Sequence, residues 1–247
     1  MLAAFVTIEL RTAHPLLPMR VLLDRNRGGS FLASLLVGVA LLGTFLSLTF
    51  YFQGTLGFSA MKTGLAFVPF SIGIVLGAAT AGRFLPRLGP RSLLTAGIAL
   101  GVLGLAVFTR IGVHSAYLSI SLPAELITSF GMGITFVAMN STALVGVNPE
   151  DAGVASALVN STQQTGGTMG AALTNTIAST AAVGYVAAHG TSAASVAAGA
   201  VHGYTTAFTF SAVVLALAGV AAFTLVRHVR TPAADPLLAI VPEADQV

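Results

Sequence analysis

Of 247 residues, 55% are hydrophobic and 8% charged, and the mean hydropathy is +0.90. A soluble domain carries about 25% charged residues to keep a solvated shell, so eleven Lys/Arg and eight Asp/Glu exclude a water-soluble globule and leave lipid as the solvent for most of the surface. The net charge of +3 makes no nucleic-acid patch, since the basic residues form no dense run and most flank apolar segments; the absence of cysteine excludes disulfides, thiolate metal sites and cysteine nucleophiles.

In chain order, Met1 to Leu10 is apolar but too short to span a bilayer, and Glu9 and Arg11 end it. With no basic residue before it, it is not a signal peptide. It reads as the tail of a preceding span, so residues 1–28 are expected to be that tail plus a cytoplasmic linker. Six stretches then reach the roughly 20 helical residues that a crossing needs: Gly29–Phe52, Thr63–Gly82, Ser92–Thr109, Leu122–Val147, Ala152–Tyr185 and Tyr204–Val226. The fifth is overlong and polar in its first half, so part of it is expected to project beyond the hydrocarbon. Turn formers separate the stretches: Gly54 and Gly57, Pro86 to Pro90, Asn148–Pro149, Gly190 and Gly199. A spanning β-barrel needs period-two alternation. These runs are continuously apolar, so the expected fold is an all-α membrane protein, a six-span bundle over residues 29–226. Residues 227–247, with prolines, acidic residues and no period, are expected to be a disordered cytoplasmic tail.

Orientation follows from the basic residues. With the loop after span two in the cytoplasm, that side holds Arg11, Arg20, Arg25, Arg27, Arg83, Arg87, Arg91, Arg227 and Arg230. The outer side keeps Lys62 and Arg110, a bias of nine against two. Both ends of the six-span unit are then expected inside, in the plasma (cell inner) membrane.

The loop Gly82-Arg83-Phe84-Leu85-Pro86-Arg87-Leu88-Gly89-Pro90-Arg91 resembles the short cytoplasmic loop of the major facilitator superfamily. Gly82, Arg87, Gly89 and Arg91 match, while Pro86 and Pro90 replace an aspartate and an arginine. A generic positive-inside loop would also account for it. The segment from Leu126 to Ala172, with Gly131-Met132-Gly133, Asn148 to Ala157 and Asn160 to Gly170, is similar to the fourth and fifth helices of the second half of the fourteen-span drug:proton antiporter branch. Pro15-Leu16-Leu17-Pro18 leading to Arg25-Asn26-Arg27 resembles that branch's linker. Met139 stands where the branch often has proline, and Gln163 where it often has arginine. The resemblance covers about Glu9 to Arg230. It implies two three-helix repeats, the carboxy-terminal half of a proton-coupled multidrug exporter and not an enzyme. Its expected partners are the lipid bilayer, protons, hydrophobic small molecules of cationic type, and a missing amino-terminal half or a second copy. A homodimeric six-span transporter and a non-transporting truncated scaffold are the alternatives.

The residues themselves offer two candidate sites. Asn160, Gln164, Thr168 and Asn175 fall within an arc of about 80° on one helix. A polar stripe cannot face lipid cheaply, so it faces a water-filled path or bonds to a neighbouring helix. Gly166, Gly167 and Gly170 beside it read as close-packing sites rather than hinges. Glu125 is an acidic residue within a span and shares a face with Ser129, Met132, Phe136 and Asn140. A carboxylate is costly to bury charged, which makes it a candidate for proton exchange, and with a thioether and an aromatic ring it could meet a cationic drug. Equally, Ser121-Leu122-Pro123 looks like a helix start. That would make Glu125 a first-turn partner of the helix dipole near the outer surface. The five histidines show no ligand spacing, and no glycine-rich phosphate loop is present, so neither metal, cofactor nor ATP motor is expected. The sequons at Asn140 and Asn160 lie within spans, beyond reach of glycan addition.

Overall fold

A computed structural model of the chain describes residues 25–144, 147 and 151–225. The short apolar start, the linker as far as residue 24, the Asn148–Pro149 turn and the carboxy-terminal tail lie outside the described residues; the last four residues assigned to the linker, 25–28, are the first turn of the first helix. The elements are α1 (Arg25–Phe50), extended by a π-helical turn Tyr51–Thr55, α2 (Ala60–Ala66) and α3 (Val68–Phe108). A second π-helical turn, Tyr117–Ser121, leads into α4 (Leu122–Leu144), which is followed by α5 (Ala152–His189) and α6 (Ala193–Leu225). All elements among the described residues are helical.

The 41-residue α3 is two arms. Gly89 has φ 75° and ψ 160°, a conformation that L side chains avoid, and Pro90 starts the second arm. Inter-helix contacts give the direction of each arm. Gly73 abuts Ser129 and Gly77 abuts Phe130 and Gly133, so the first arm runs parallel to α4. Gly97 meets Thr135 while Gly104 meets Thr128, so the second arm runs against it, and the chain reverses at Gly89. By the same reading α1 is parallel to α5 (Gly38 on Gln163, Gly43 on Thr174), and α6 is antiparallel to α5 (Gly203 on Ala178, Gly199 on Ala182). The six arms alternate in direction along the chain. They also trade places: α1 packs chiefly on α5 and α6, and α4 chiefly on the two arms of α3. Each three-arm repeat thus lends its first helix to the other.

Small residues make this possible. Lipid removes the hydrophobic drive between helices, so association rests on close van der Waals contact. A Cβ at Gly38, Gly166 or Gly170 would strike the facing backbone carbonyl of Gln163, Leu35 or Val39. Other apolar side chains point outward toward lipid: Ile72, Val75 and Leu76 on α3, and Val213, Leu217 and Val220 on α6, are all exposed.

Among the described residues, four stretches are long and apolar enough to cross a membrane by length and composition: Gly28–Thr55, Ala60–Phe108, Tyr117–Leu144 and Ala193–Leu225. The second contains expected spans two and three, joined at Gly89. Helix α5, with 38 residues or about 57 Å at 1.5 Å per residue, is long enough to cross, but Asn160 to Thr165 make its first half polar. Two expectations need correction. Gly199, read as a turn former, is buried inside α6, seated on the Val186 side chain. The sixth stretch starts at Ala193 rather than Tyr204, because the alanine-rich run before Tyr204 is a good helix former although only weakly apolar. Met139 leaves α4 unbroken, and ties it to α1: Ser30 donates to its carbonyl and Ser34 to its sulfur, each at 3.0 Å.

Candidate functional site

Glu125 lies in the first turn of α4, as one expectation had it, but it is not at a surface. It is fully buried, roofed by the π-helical turn before α4. From that turn the Tyr117 hydroxyl lies 3.0 Å from Glu125 Oε2 and 2.8 Å from the Ala66 carbonyl oxygen. The other carboxyl oxygen, Oε1, has no hydrogen-bond partner among the described residues. Ala66 ends α2, where Phe67 caps the short helix and Pro69 opens α3. Pro69 has no N–H to give the preceding turn, so the backbone is broken at this point. The Phe52 ring stands edge-on to Tyr117 at 5.6 Å, and Phe58 lies at 6.2 Å, which fixes the phenol over the carboxyl.

Below Glu125 its helix face is sealed. Ser129 is buried and donates to the Leu126 carbonyl at 3.2 Å, and Gly73 of α3 sits directly on its hydroxyl. Met132 is buried, with its methyl against Gly101. Phe136 and Asn140 are half-buried, and the Asn140 amide donates to the Phe136 carbonyl at 2.9 Å.

The α5 stripe lies elsewhere, along the seam with α1. Asn160 and Gln164, together with Gln163, line one side of a groove of about 640 Å³. Gly38, Leu41, Leu42, Phe45 and Phe70 line the other. Asn175 borders a smaller groove of about 210 Å³ farther along the seam, with Ser47, Phe50 and Tyr204. Thr168 is exposed and donates to the Thr165 carbonyl, and neither groove includes it. Gly166 and Gly170 are close-packing positions, while a Cβ added at Gly167 would stand 3.3 Å from the Leu42 side chain. Glu125 and its four companions border neither groove.

Sequence reasoning did not single out Tyr117, Phe45 or Phe70. Phe45 stacks on Phe67 at a centroid distance of 4.2 Å, so the apolar wall of the larger groove leans on the residue after Ala66. In the run of aromatic and apolar residues that forms α1 nothing marks Phe45. Tyr117, eight residues before Glu125, reaches it only because a π-helical turn intervenes.

The loop-motif residues divide by role. Gly89 makes the reversal. The Arg91 guanidinium donates to the Phe223 carbonyl at 2.5 Å, with its centre 4.5 Å from the Phe223 ring. Phe223 is in the last turn of α6, where unpaired carbonyls and the helix dipole favour a cation. Gly82 and Arg87 are exposed. Arg91→Ala is therefore expected to lower the thermal stability of the purified protein by about 1 kcal/mol and Arg87→Ala to leave it unchanged. Equal melting of all three proteins would dismiss the cap.

Residues 6–171 match the Major Facilitator Superfamily. The chain is 44% identical over 238 residues to the puromycin resistance protein of Streptomyces alboniger, covering 95% of this chain and 47% of that protein. It is 36% identical over 178 residues to the cephamycin export protein of Amycolatopsis lactamdurans, 71% of this chain and 37% of that one. With the lincomycin resistance protein of Streptomyces lincolnensis it shares 32% over 171 residues, 69% of this chain and 35% of that one. The chain thus spans about half the length, or less, of the curated relatives it matches. A family match over two thirds of the chain, on an all-helical bundle whose outer face is apolar, makes this a multi-pass membrane protein of the major facilitator superfamily.

Proposed function

We propose that this chain supplies the carboxy-terminal, six-span half of a proton-coupled exporter of hydrophobic, cationic small molecules, of the fourteen-span drug:proton antiporter branch. The observation that carries this reading is the larger groove between α1 and α5. One wall holds three side-chain amides, Asn160, Gln163 and Gln164, and the other two phenylalanines and two leucines. Amides cannot face hydrocarbon without loss of hydrogen bonds, and a cavity apolar on one side and polar on the other suits an amphiphilic drug. The names of the relatives, resistance and export proteins for antibiotics, support the same class of cargo. In this reading the groove faces a missing amino-terminal half, or a second copy, across a cavity that opens to each side in turn. Asn160 and Gln164 belong to the polar side of the groove, Thr168 and Asn175 continue the same polar stripe along the cavity beyond it, and Glu125, with Ser129, Met132, Phe136 and Asn140 beneath it, is the proton site. Gly82, Arg87, Gly89 and Arg91 form the cytoplasmic loop.

The test is gradient-driven uptake into everted membrane vesicles, with puromycin as probe, of the chain co-expressed with the amino-terminal half of the 44%-identical relative. Uptake is expected with both halves present, to collapse with an uncoupler, and to be absent with either half alone. Uptake indifferent to the proton gradient would overturn the coupling. Equal uptake by this chain alone would replace the missing half with a second copy.

The same reading assigns sides, supported by the distribution of basic residues. Both ends of the six-span unit, and Arg83, Arg87 and Arg91, belong in the cytoplasm of the cell inner membrane, following the nine-to-two bias of basic residues. Single cysteines at Thr55 and His202, in a chain that has none of its own, are expected to react with an impermeant maleimide on intact cells, and one at Pro90 only after lysis. Labelling at Pro90 in intact cells reverses the orientation.

A further inference from the structure

The proposed proton site carries a second consequence, which rests on that reading of Glu125. A phenol has one proton to donate, yet the Tyr117 hydroxyl faces two acceptors, the Ala66 carbonyl at 2.8 Å and Glu125 Oε2 at 3.0 Å. Each contact is a full two-centre hydrogen bond when Glu125 supplies a proton of its own: Oε2–H donates to Tyr117, and Tyr117 donates to Ala66. Without that proton the single O–H must choose. A fully buried carboxylate without a donor is far costlier than an unpaired carbonyl, so the phenol turns to Oε2 and the Ala66 carbonyl is left bare at the break between α2 and α3.

That break touches the groove. Phe67, the next residue, carries Phe45 stacked on its ring at 4.2 Å, and Phe45 and Phe70 form part of the groove's apolar wall. We propose that Tyr117 is a positioning residue that transmits the proton occupancy of Glu125 to the drug groove, by giving its hydroxyl to the Ala66 carbonyl when Glu125 is protonated and to Glu125 when it is not. The step balances: the carboxyl O–H bond breaks, its proton leaves to water, and the Tyr117 O–H changes acceptor without breaking. Among the described residues, no other charge competes at close quarters. Of the titratable groups on the surrounding elements, Tyr51 donates to the Gly112 carbonyl at 3.0 Å. Lys62 of α2 is exposed with its ammonium 3.9 Å from the Phe58 ring centre. Arg110 and His114 are exposed in the connection before Tyr117, and Tyr204 of α6 packs edge-on to Tyr51 at 6.2 Å.

The purified full chain in lipid tests this with two readouts. The first is the infrared band of a protonated carboxyl, assigned by its loss in Glu125→Gln. The second is the emission of a tryptophan placed by Phe45→Trp in a chain that has none. As pH rises, the carboxyl band is expected to vanish and the tryptophan emission to shift over the same range. Glu125→Gln abolishes the emission shift. Tyr117→Phe keeps a carboxyl band, moved to the higher wavenumber of an unbonded carboxyl, and also abolishes the shift. A nitroxide at Met61→Cys, on the exposed face of α2, reads the same junction should Phe45→Trp fold poorly. If no band depends on Glu125 at any pH, the proton-site reading falls and this inference with it. If the band exists but Tyr117→Phe leaves its frequency and the pH-dependent shift intact, the proton site stands and the transmission through Tyr117 is overturned.

Discussion

Gly166→Leu is expected to prevent the bundle from assembling, and Gly166→Ala to destabilise it by about 1–3 kcal/mol, the usual cost of forcing extra carbon into a packed interior. The reason is what stands opposite. A Cβ on Gly166 would strike the Leu35 backbone carbonyl, and one on Gly170 the Val39 carbonyl. A flexible side chain could swing aside, but a helix backbone cannot, so α1 and α5 would have to part. That seam also carries both grooves, so its loss removes the site together with the fold. Gly184, on the same helix with nothing within 4 Å of its Cβ, is the control: Gly184→Ala should melt with the wild type, or slightly above it because alanine favours helix. Thermal unfolding of the purified proteins by circular dichroism measures both. Equal melting of Gly166→Ala and Gly184→Ala would refute the close contact of α1 with α5.

The same physics decided what could be read from the sequence. Helical content was legible because a continuously apolar run in lipid must satisfy its own backbone. Gly166 and Gly170 were legible as packing positions because they recur at helical spacing. Gly199 was not, since a glycine at the edge of an alanine-rich run reads equally as a turn or as a contact, and only the position of Val186 opposite decides it. The reversal at Gly89 was foreseen as a short loop of turn formers, and the structure narrows it to one residue with positive φ. Pro86 and Pro90 fix φ near helical values on both sides of a single left-handed residue, so the two arms meet with almost no connection. The excess length of α5 was legible, since Ala152–Tyr185 already outruns a bilayer and the helix adds only the turn to His189; the amides that lower its hydropathy are the ones that line the groove.

Glu125 shows where one-dimensional reading stops. Its two expectations, a first-turn residue near the outer end or a buried proton site, looked exclusive because a helix start is ordinarily wet. Here the π-helical turn from Tyr117 to Ser121 folds over that start, and the break between α2 and α3 brings the Ala66 carbonyl to the same phenol. No spacing rule connects Ala66, Tyr117 and Glu125. They meet because α4 lies along both arms of α3, which is a consequence of the exchange of helices between the repeats. The three amides of the groove, by contrast, were visible in part from the helix period; Gln163, noted only as a departure from the branch's arginine, falls beside the stripe rather than on it.

Glu125→Gln is expected to leave stability close to wild type while abolishing gradient-driven efflux by the assembled transporter. The amide reproduces the protonated carboxyl: its N–H donates to Tyr117, Tyr117 donates to Ala66, and no charge is buried. The junction is then held permanently in its proton-loaded arrangement, so binding of a hydrophobic cation to the groove persists while turnover stops. Glu125→Ala removes the same proton but also leaves the Tyr117 oxygen without its donor and a void under the π-helical turn, and should cost about 1–3 kcal/mol of stability. Glu125→Lys, which buries an unpaired charge at a fully covered position, should cost several kcal/mol and fail to accumulate in the membrane. The three variants separate charge from shape. Puromycin uptake into everted vesicles, corrected for the amount of folded protein, is the measurement. If Glu125→Gln transports under a proton gradient as well as the wild type, the carboxyl is a structural group tying α4 to the end of α2, and the proton must cross elsewhere.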